Sequence, residues 1–257
     1  MSGTGSPARV PVRTIGGPTA LISYGGLKLL TDPTFDSPGD HPVGDGIVIT
    51  KTAPPAASPA GIGPVDAVLL SHDEHPDNLD LSGRALLADV PLTLTTRSGA
   101  ERLAATARSV RGLAPWEGTE VPRPGGGAVT VTAVPALHGP EGAEEVLGEV
   151  IGFVLTGDGL PKVYVSGDNA SLDLVREVAG RFGPVDTAVL FAGAARAPMF
   201  DTTITLDSAQ AAEATRILGA RRSVPVHFEG WTHFSEGRAE LEKAFTTAGL
   251  SERLQFA

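Results

Sequence analysis

Asp66-Ala-Val-Leu-Leu-Ser-His-Asp-Glu-His-Pro-Asp-Asn-Leu-Asp80 joins a strand pattern to a cluster of metal-type donors. Ala67, Val68, Leu69 and Leu70 have the length and flanks of a buried strand. The run stops abruptly, and His72, Glu74, His75 and Asp77 follow within a few residues. Positions just past strand ends are where α/β folds place their chemistry. Imidazole nitrogens and carboxylate oxygens are donors that zinc, manganese and iron accept. A solvated polar turn capping the next helix would use the same residues, so the surrounding chain has to decide.

Upstream, Val10 to Ile15, Thr19 to Tyr24 and Leu27 to Thr31 read as strands, the last two joined at Gly25-Gly26 as a hairpin. The third ends at Asp32-Pro33, where proline stops pairing. Residues 34–64 are rich in Pro, Gly and Asp and are expected to form a long lid or binding loop. Downstream, helices are expected over 81–89 and 98–106 around a strand at 92–95, and 112–121, carrying Trp116, reads as irregular. Further strands are expected at 128–134, 150–155, 162–165, 187–191 and 223–226, with a loop at 192–204 and helices at 172–181, 208–218 and 238–248. After a loose tail over residues 1–8, the pattern predicts one domain, 9–257, made of two similar halves (about 9–125 and 126–257). Sheets covered by outer helices in two such halves form an αββα four-layer sandwich.

Composition narrows the chemistry. The chain has 257 residues, 41% of them hydrophobic, enough for a substantial core. It contains no cysteine, so thiolate ligands and cysteine nucleophiles are excluded, and any metal is held by nitrogen and oxygen. A net charge of −10 argues against nucleic acid or an anionic membrane as partner. No apolar run is long enough to span a bilayer, and the start of the chain lacks the apolar segment of a signal peptide. A cytoplasmic protein with a small-molecule substrate is expected; a homo-oligomer is compatible with the sequence. There is no G-x-S-x-G nucleophile elbow, and Pro124 to Gly127 lacks the Lys-Ser/Thr of a phosphate loop.

Three other predicted strands also end in a metal-type residue: His138, Asp168 and His227. Singly, each has an ordinary explanation, Asp168 as a helix cap for instance. Strand ends on one edge of a sandwich converge in space, and together with His72 the four residues favour a divalent metal site.

The segments Leu21-Ile-Ser-Tyr-Gly-Gly26, Leu30-Thr-Asp-Pro33, Leu70-Ser-His72, Pro135 to His138, Ser166-Gly-Asp168 and Pro225-Val-His227 resemble the metallo-β-lactamase-fold hydrolases. The resemblance is to the branch of ascorbate-phosphate lactonases and N-acyl phosphatidylethanolamine phosphodiesterases, and it runs from about Val10 to Leu254. It implies the αββα fold and a metal-dependent hydrolase of a small ester, lactone or phosphodiester. The family pattern H-x-H-x-D-H is disturbed here. A register with one extra residue keeps Asp77 and puts Asn78 at the last His, which leaves either His75 or Glu74 at the second.

By this resemblance His72, His138 and either His75 or Glu74 hold a first ion. Asp77, His227 and Asn78 hold a second, and Asp168 bridges them. One or two ions of zinc, manganese or iron are implied. Water bound to such an ion is activated as hydroxide, and Asp77 is a candidate to orient it or take its proton. His233 is the candidate to steady the oxyanion or protonate the leaving group. Asp32 is expected to orient a ligand from behind. Arg196 and Trp231 are candidates for substrate contact, although Trp231 also suits a packed aromatic corner. The competing expectation is a non-hydrolytic binding protein whose metal site has decayed at Glu74 and Asn78.

Overall fold

Short apolar strands separated by turn residues assemble into two six-stranded sheets. A computed structural model describes residues 9–44 and 46–257; the tail expected over residues 1–8 lies outside them. Three antiparallel strands open the chain: β1 (Val12–Gly16), β2 (Thr19–Tyr24) and β3 (Leu27–Thr31). A separate hairpin, β4 (Gly39–Gly44) with β5 (Ile47–Lys51), precedes a short helix, α1 (Pro59–Ile62). Then β6 (Ala67–Leu69), α2 (Leu81–Leu86), β7 (Thr93–Thr95), α3 (Arg97–Leu103) and β8 (Val110–Gly112) extend the sheet in parallel, giving the order β1-β2-β3-β6-β7-β8.

The second sheet begins with β9 (Gly118–Pro122) and β10 (Ala128–Pro135). It continues through α4 (Glu144–Leu147), β11 (Ile151–Thr156), β12 (Val163–Val165), α5 (Leu172–Phe182) and β13 (Thr187–Phe191). It closes with α6 (Ser208–Ile217), β14 (Arg222–Val226) and α7 (Arg238–Thr247). The order is β14-β13-β12-β11-β10-β9, antiparallel up to β12 and parallel beyond it.

Alternation along the strands builds the layers. Ile22, Leu29 and Leu69 face Val131, Phe153 and Val165 in the core between the sheets. Their neighbours Leu21, Leu30, Val68 and Leu70 point outward to pack with Leu87 and Leu103 of the first helical layer. On the other side Val175, Val178, Ala211 and Leu241 of α5, α6 and α7 cover Val154, Ala188 and Leu190. The molecule is the αββα sandwich expected of its pattern.

Two stretches differ from expectation. Residues 34–64 hold the β4–β5 hairpin and α1 rather than a bare loop, and β8 and β9 occupy part of the stretch read as irregular. Strands of three to six residues are too short for a period-2 signal to stand out. Trp116 sits between β8 and β9 at φ 72°, its ring covered by Arg181 at 3.6 Å.

Strands β3, β6, β10, β12 and β14 run in the same sense within their sheets and end at the same edge. There the two sheets are joined by a backbone hydrogen bond from Ile151 N to Ser71 O at 3.2 Å. Gly167 makes the approach possible. Its φ is +59°, and a Cβ would lie 2.6 Å from Ile151 O and 2.9 Å from Ser71 Cβ. Gly167→Ala is therefore expected to cost about 2–4 kcal/mol in urea denaturation. Gly180→Ala, in α5 with open space around it, should instead gain up to about 1 kcal/mol.

Candidate metal centre

At the shared edge three imidazoles converge. His72 follows β6, His75 lies in the loop beyond it, and His138 follows β10. His72 Nε2 is 2.8 Å from His75 Nδ1, and His138 Nε2 is 3.3 Å from the same atom. The outward nitrogens are engaged. His72 Nδ1 lies 3.0 Å from Ser71 Oγ, which itself donates to Asp32 Oδ1 at 2.8 Å. His138 Nδ1 donates to the Ile204 carbonyl at 2.7 Å. These contacts protonate the far side of the His72 and His138 rings and leave their converging nitrogens with lone pairs, beside which His75 Nδ1 lies. Lone pairs aimed at one point repel unless a cation lies among them.

A second cluster stands beside the first. Asp77 Oδ2 is 3.0 Å from His227 Nε2 and 2.9 Å from His233 Nε2. His227 sits at the end of β14 at φ 57°, held there by its N–H to Gly17 O at 2.7 Å. Between the clusters lies Asp168, fully buried, 3.6 Å from His138 Nε2 and 3.4 Å from His227 Nδ1, with neither oxygen hydrogen-bonded. Buried carboxylates are ordinarily paired, so two open oxygens here fit a cation. Each cluster of three donors, all within 4.8 Å of one another, could hold a metal ion.

The comparisons with known proteins agree with this geometry. A model of the beta-lactamase superfamily domain matches residues 28–228. A metal-dependent hydrolase of the UPF0173 family from Methanosphaerula palustris is 30% identical over 184 residues, 70% of this chain and 75% of that one. The chain belongs to the beta-lactamase superfamily, among the UPF0173 metal-dependent hydrolases. A second member of that family, from Pelotomaculum thermopropionicum, is 32% identical over 129 residues, 48% of this chain and 52% of the relative, so that match spans about half the relative's length. In three dimensions the chain is similar to an isothiocyanate hydrolase from Delia radicum gut bacteria, with a TM-score of 0.79, 21% identity and 95% of each chain covered.

Within this superfamily fold the extra residue of the disturbed motif has a definite place. Glu74 is not among the clustered donors: its carboxylate pairs with Arg102 at 2.7 Å. Arg102 also grips Asp73 through Nε at 3.0 Å and an Nη at 2.6 Å. The Asp73–Glu74 bulge is thus clamped outward, and His75 takes the inward position. Asn78 makes no side-chain hydrogen bond to a clustered donor. It is buried against Asp32 and Asp168, and neither amide atom reaches hydrogen-bonding geometry. His233, expected to act on the substrate, lines the cavity above the clusters and also lies beside Asp77 as a third donor. Its signal in sequence was only a histidine six residues after His227, on a loop whose return path no periodicity reveals.

Trp231 departs from its expected role too. It is 4% exposed and packs under Lys51, away from the cavity above the clusters. That cavity, about 130 Å³, has His75, Asp77, His138 and His233 on its floor and Arg196 in its wall. The 34–64 stretch, expected as a lid or binding loop, supplies Val43, Ile47 and Ile49 to this wall, from a hairpin that the sequence did not reveal. Backbone bonds from Thr52 N to Gly230 O at 2.8 Å and from Thr232 N to Thr50 O at 3.0 Å tie the hairpin to the loop carrying His233.

Electrostatics keep the donors ready. Burial, reinforced by the rings of His75 and His138, holds His72 neutral well below the usual histidine range. Burial lowers His138 to about 3 and also depresses His75 and His227. Burial opposes ionisation of Asp77, yet His233 and His227 outweigh it and keep the carboxyl well below its ordinary range. Burial, with the charges of Asp77 and Asp32, drives Asp168 well upward.

Burial likewise raises Asp32 to about 8 against the opposing bonds from Ser71. Because this folded value lies above the unfolded one of about 3.9, the folded metal-free chain binds more protons between the two. Its stability contribution is complete below about pH 4 and is lost as the pH rises toward 8. Asp32→Asn removes that slope and keeps an acceptor for Ser71. The metal-free variant should therefore gain on wild type, by on the order of 1 kcal/mol per pH unit, between pH 5 and pH 8 in parallel urea titrations.

Proposed function

We propose that the protein hydrolyses a small-molecule ester, lactone or phosphodiester with two divalent ions, zinc, manganese or iron, at the sheet edge. The observation that carries this reading is the pair of three-donor clusters flanking an unpaired, buried Asp168 at the foot of a cavity. His72, His75 and His138 would hold one ion, and Asp77, His227 and His233 the other, with Asp168 between them. Bound there, the ions supply Lewis acidity and an activated water. All-nitrogen and -oxygen donors suit each of the three metals.

The chain's own residues have distinct parts. Asp32 acts through Ser71 Oγ to fix the tautomer of His72, and the Ile204 carbonyl does the same for His138. His233 serves as a ligand rather than a proton donor, taking the place that Asn78 leaves empty. Asn78 lies beside the carboxylates of Asp32 and Asp168. Arg196 receives a negatively charged part of the substrate. The net charge of −10 fits a cytoplasmic enzyme whose substrate is not a nucleic acid. The isothiocyanate hydrolase of similar fold adds isothiocyanates to the compounds worth screening.

Elemental analysis of protein purified without chelator, followed by a hydrolysis screen, tests the assignment. Wild type is expected to hold about two equivalents of metal. His233→Ala should lose about one equivalent and at least about 100-fold in kcat, Asp168→Ala should lose both equivalents, and Asn78→Ala should retain both. Metal retained in full by His233→Ala but lost from Asn78→Ala would reverse the two roles. A wild type that takes up no zinc, manganese or iron would sink the hydrolase.

A further inference from the structure

We infer that the substrate carries a compact apolar group, about the size of a benzene ring, next to the bond that is cut, and a separate negative charge. This rests on the hydrolase reading and names the substrate class for that same site. The floor of the cavity is formed by the clustered donors, so the reacting centre lies there. Above it the wall is apolar on three sides. Val43, Ile47 and Ile49 come from the hairpin, Leu147 from α4 and Met199 from the loop after β13.

The hairpin's alternation shows which face is used. Ile47 and Ile49 are partly covered and turned to the cavity, whereas Val48 between them is 51% exposed on the opposite face. A strand that turns two isoleucines toward a site of charged donors serves an apolar occupant, since uncovered apolar surface beside water gains nothing. The volume of about 130 Å³ is close to the roughly 150 Å³ cavity known to accept benzene. It admits a ring or a short branched chain.

The wall holds one cationic side chain, Arg196, on the exposed side. Among the described residues its guanidinium enters no ion pair; Arg13, Arg108 and Arg123 are likewise without a carboxylate partner, but none of them lines this cavity. Its backbone N–H bonds to His233 O at 3.0 Å, which anchors it beside the donor floor. An unpaired arginine at the rim of an apolar pocket matches a carboxylate or similar anion on the substrate.

Calorimetric titration of the metal-loaded protein with acetate, benzoate and the three benzenedicarboxylates tests the inference. All carry a carboxylate able to meet the donor floor, so their differences report the ring and the second charge. Benzoate should bind at least about tenfold more tightly than acetate. The best of the dicarboxylates should bind more tightly than benzoate to wild type and no more tightly than benzoate to Arg196→Gln. Ile49→Ala, a mild truncation, should narrow the benzoate–acetate gap. Equal affinity for benzoate and acetate in wild type overturns the inference whether or not any ester is hydrolysed. If the protein proves to hold no metal, benzyl alcohol against ethanol gives the same comparison without coordination. A ring preference in a protein that hydrolyses nothing would uphold the pocket and fail the hydrolase. Hydrolysis of esters without preference between acetyl and benzoyl groups would do the reverse.

Discussion

Asp32, Asp77 and Asp168 are buried together where the two sheets meet, and none is paired with a lysine or arginine among the described residues. Their neighbours include His72, His138 and His227, whose protonation burial disfavours. Uncompensated buried charge costs several kcal/mol per ion even after relaxation. Without a cation, burial therefore pushes Asp32 and Asp168 toward the protonated form, and a positive charge from outside the chain would let both ionise within a fold that keeps the carboxylates and imidazoles in place. Metal affinity and fold stability are linked through this one junction.

Holding that arrangement falls to contacts behind the donors. Ser71 joins Asp32 to His72 and, through its carbonyl, the first sheet to the second. Asn169 accepts the N–H of Leu137 through its side chain, which ties the loop of His138 to that of Asp168. Arg102 clamps the bulge at Asp73 and Glu74. The buried pair Lys51–Asp80, at 3.2 Å, fixes the root of the hairpin to the start of α2, and Lys51 lies over Trp231 on the His233 loop. Sites held by such supports keep their geometry better than free loops do. The hairpin is thereby part of the His233 loop's mounting as well as a wall of the cavity.

Much of the architecture could be read from hydrophobic patterning, because β6 and β13 are buried on both faces and carry apolar runs, while β10 alternates apolar residues with threonine. What escaped notice were elements whose stability comes from partners far along the chain. The β4–β5 hairpin is polar on one side and depends on residues 230–232 for its bonds. The strand β9 pairs with β10 across Pro124 to Gly127, a stretch that reads as a hairpin turn, but β9 itself lies in a stretch that reads as irregular. The metal-type residues could be picked out because they follow strands. The choice between Glu74 and His75 could not, since both are one step from the inward position and only Arg102, in α3, draws one of them away.

By itself the sequence determined the αββα layering and the strand ends at which His72, His138, Asp168 and His227 lie, because periodicity and strand-end position are local properties of the chain. Tertiary structure alone decided which donors meet. His233 joins Asp77 from 156 residues away, Asn78 turns to the carboxylates, and the hairpin brings Ile47 and Ile49 over the floor. These outcomes depend on distances between loops, and loop closure across the fold leaves no periodic trace in the residues that perform it.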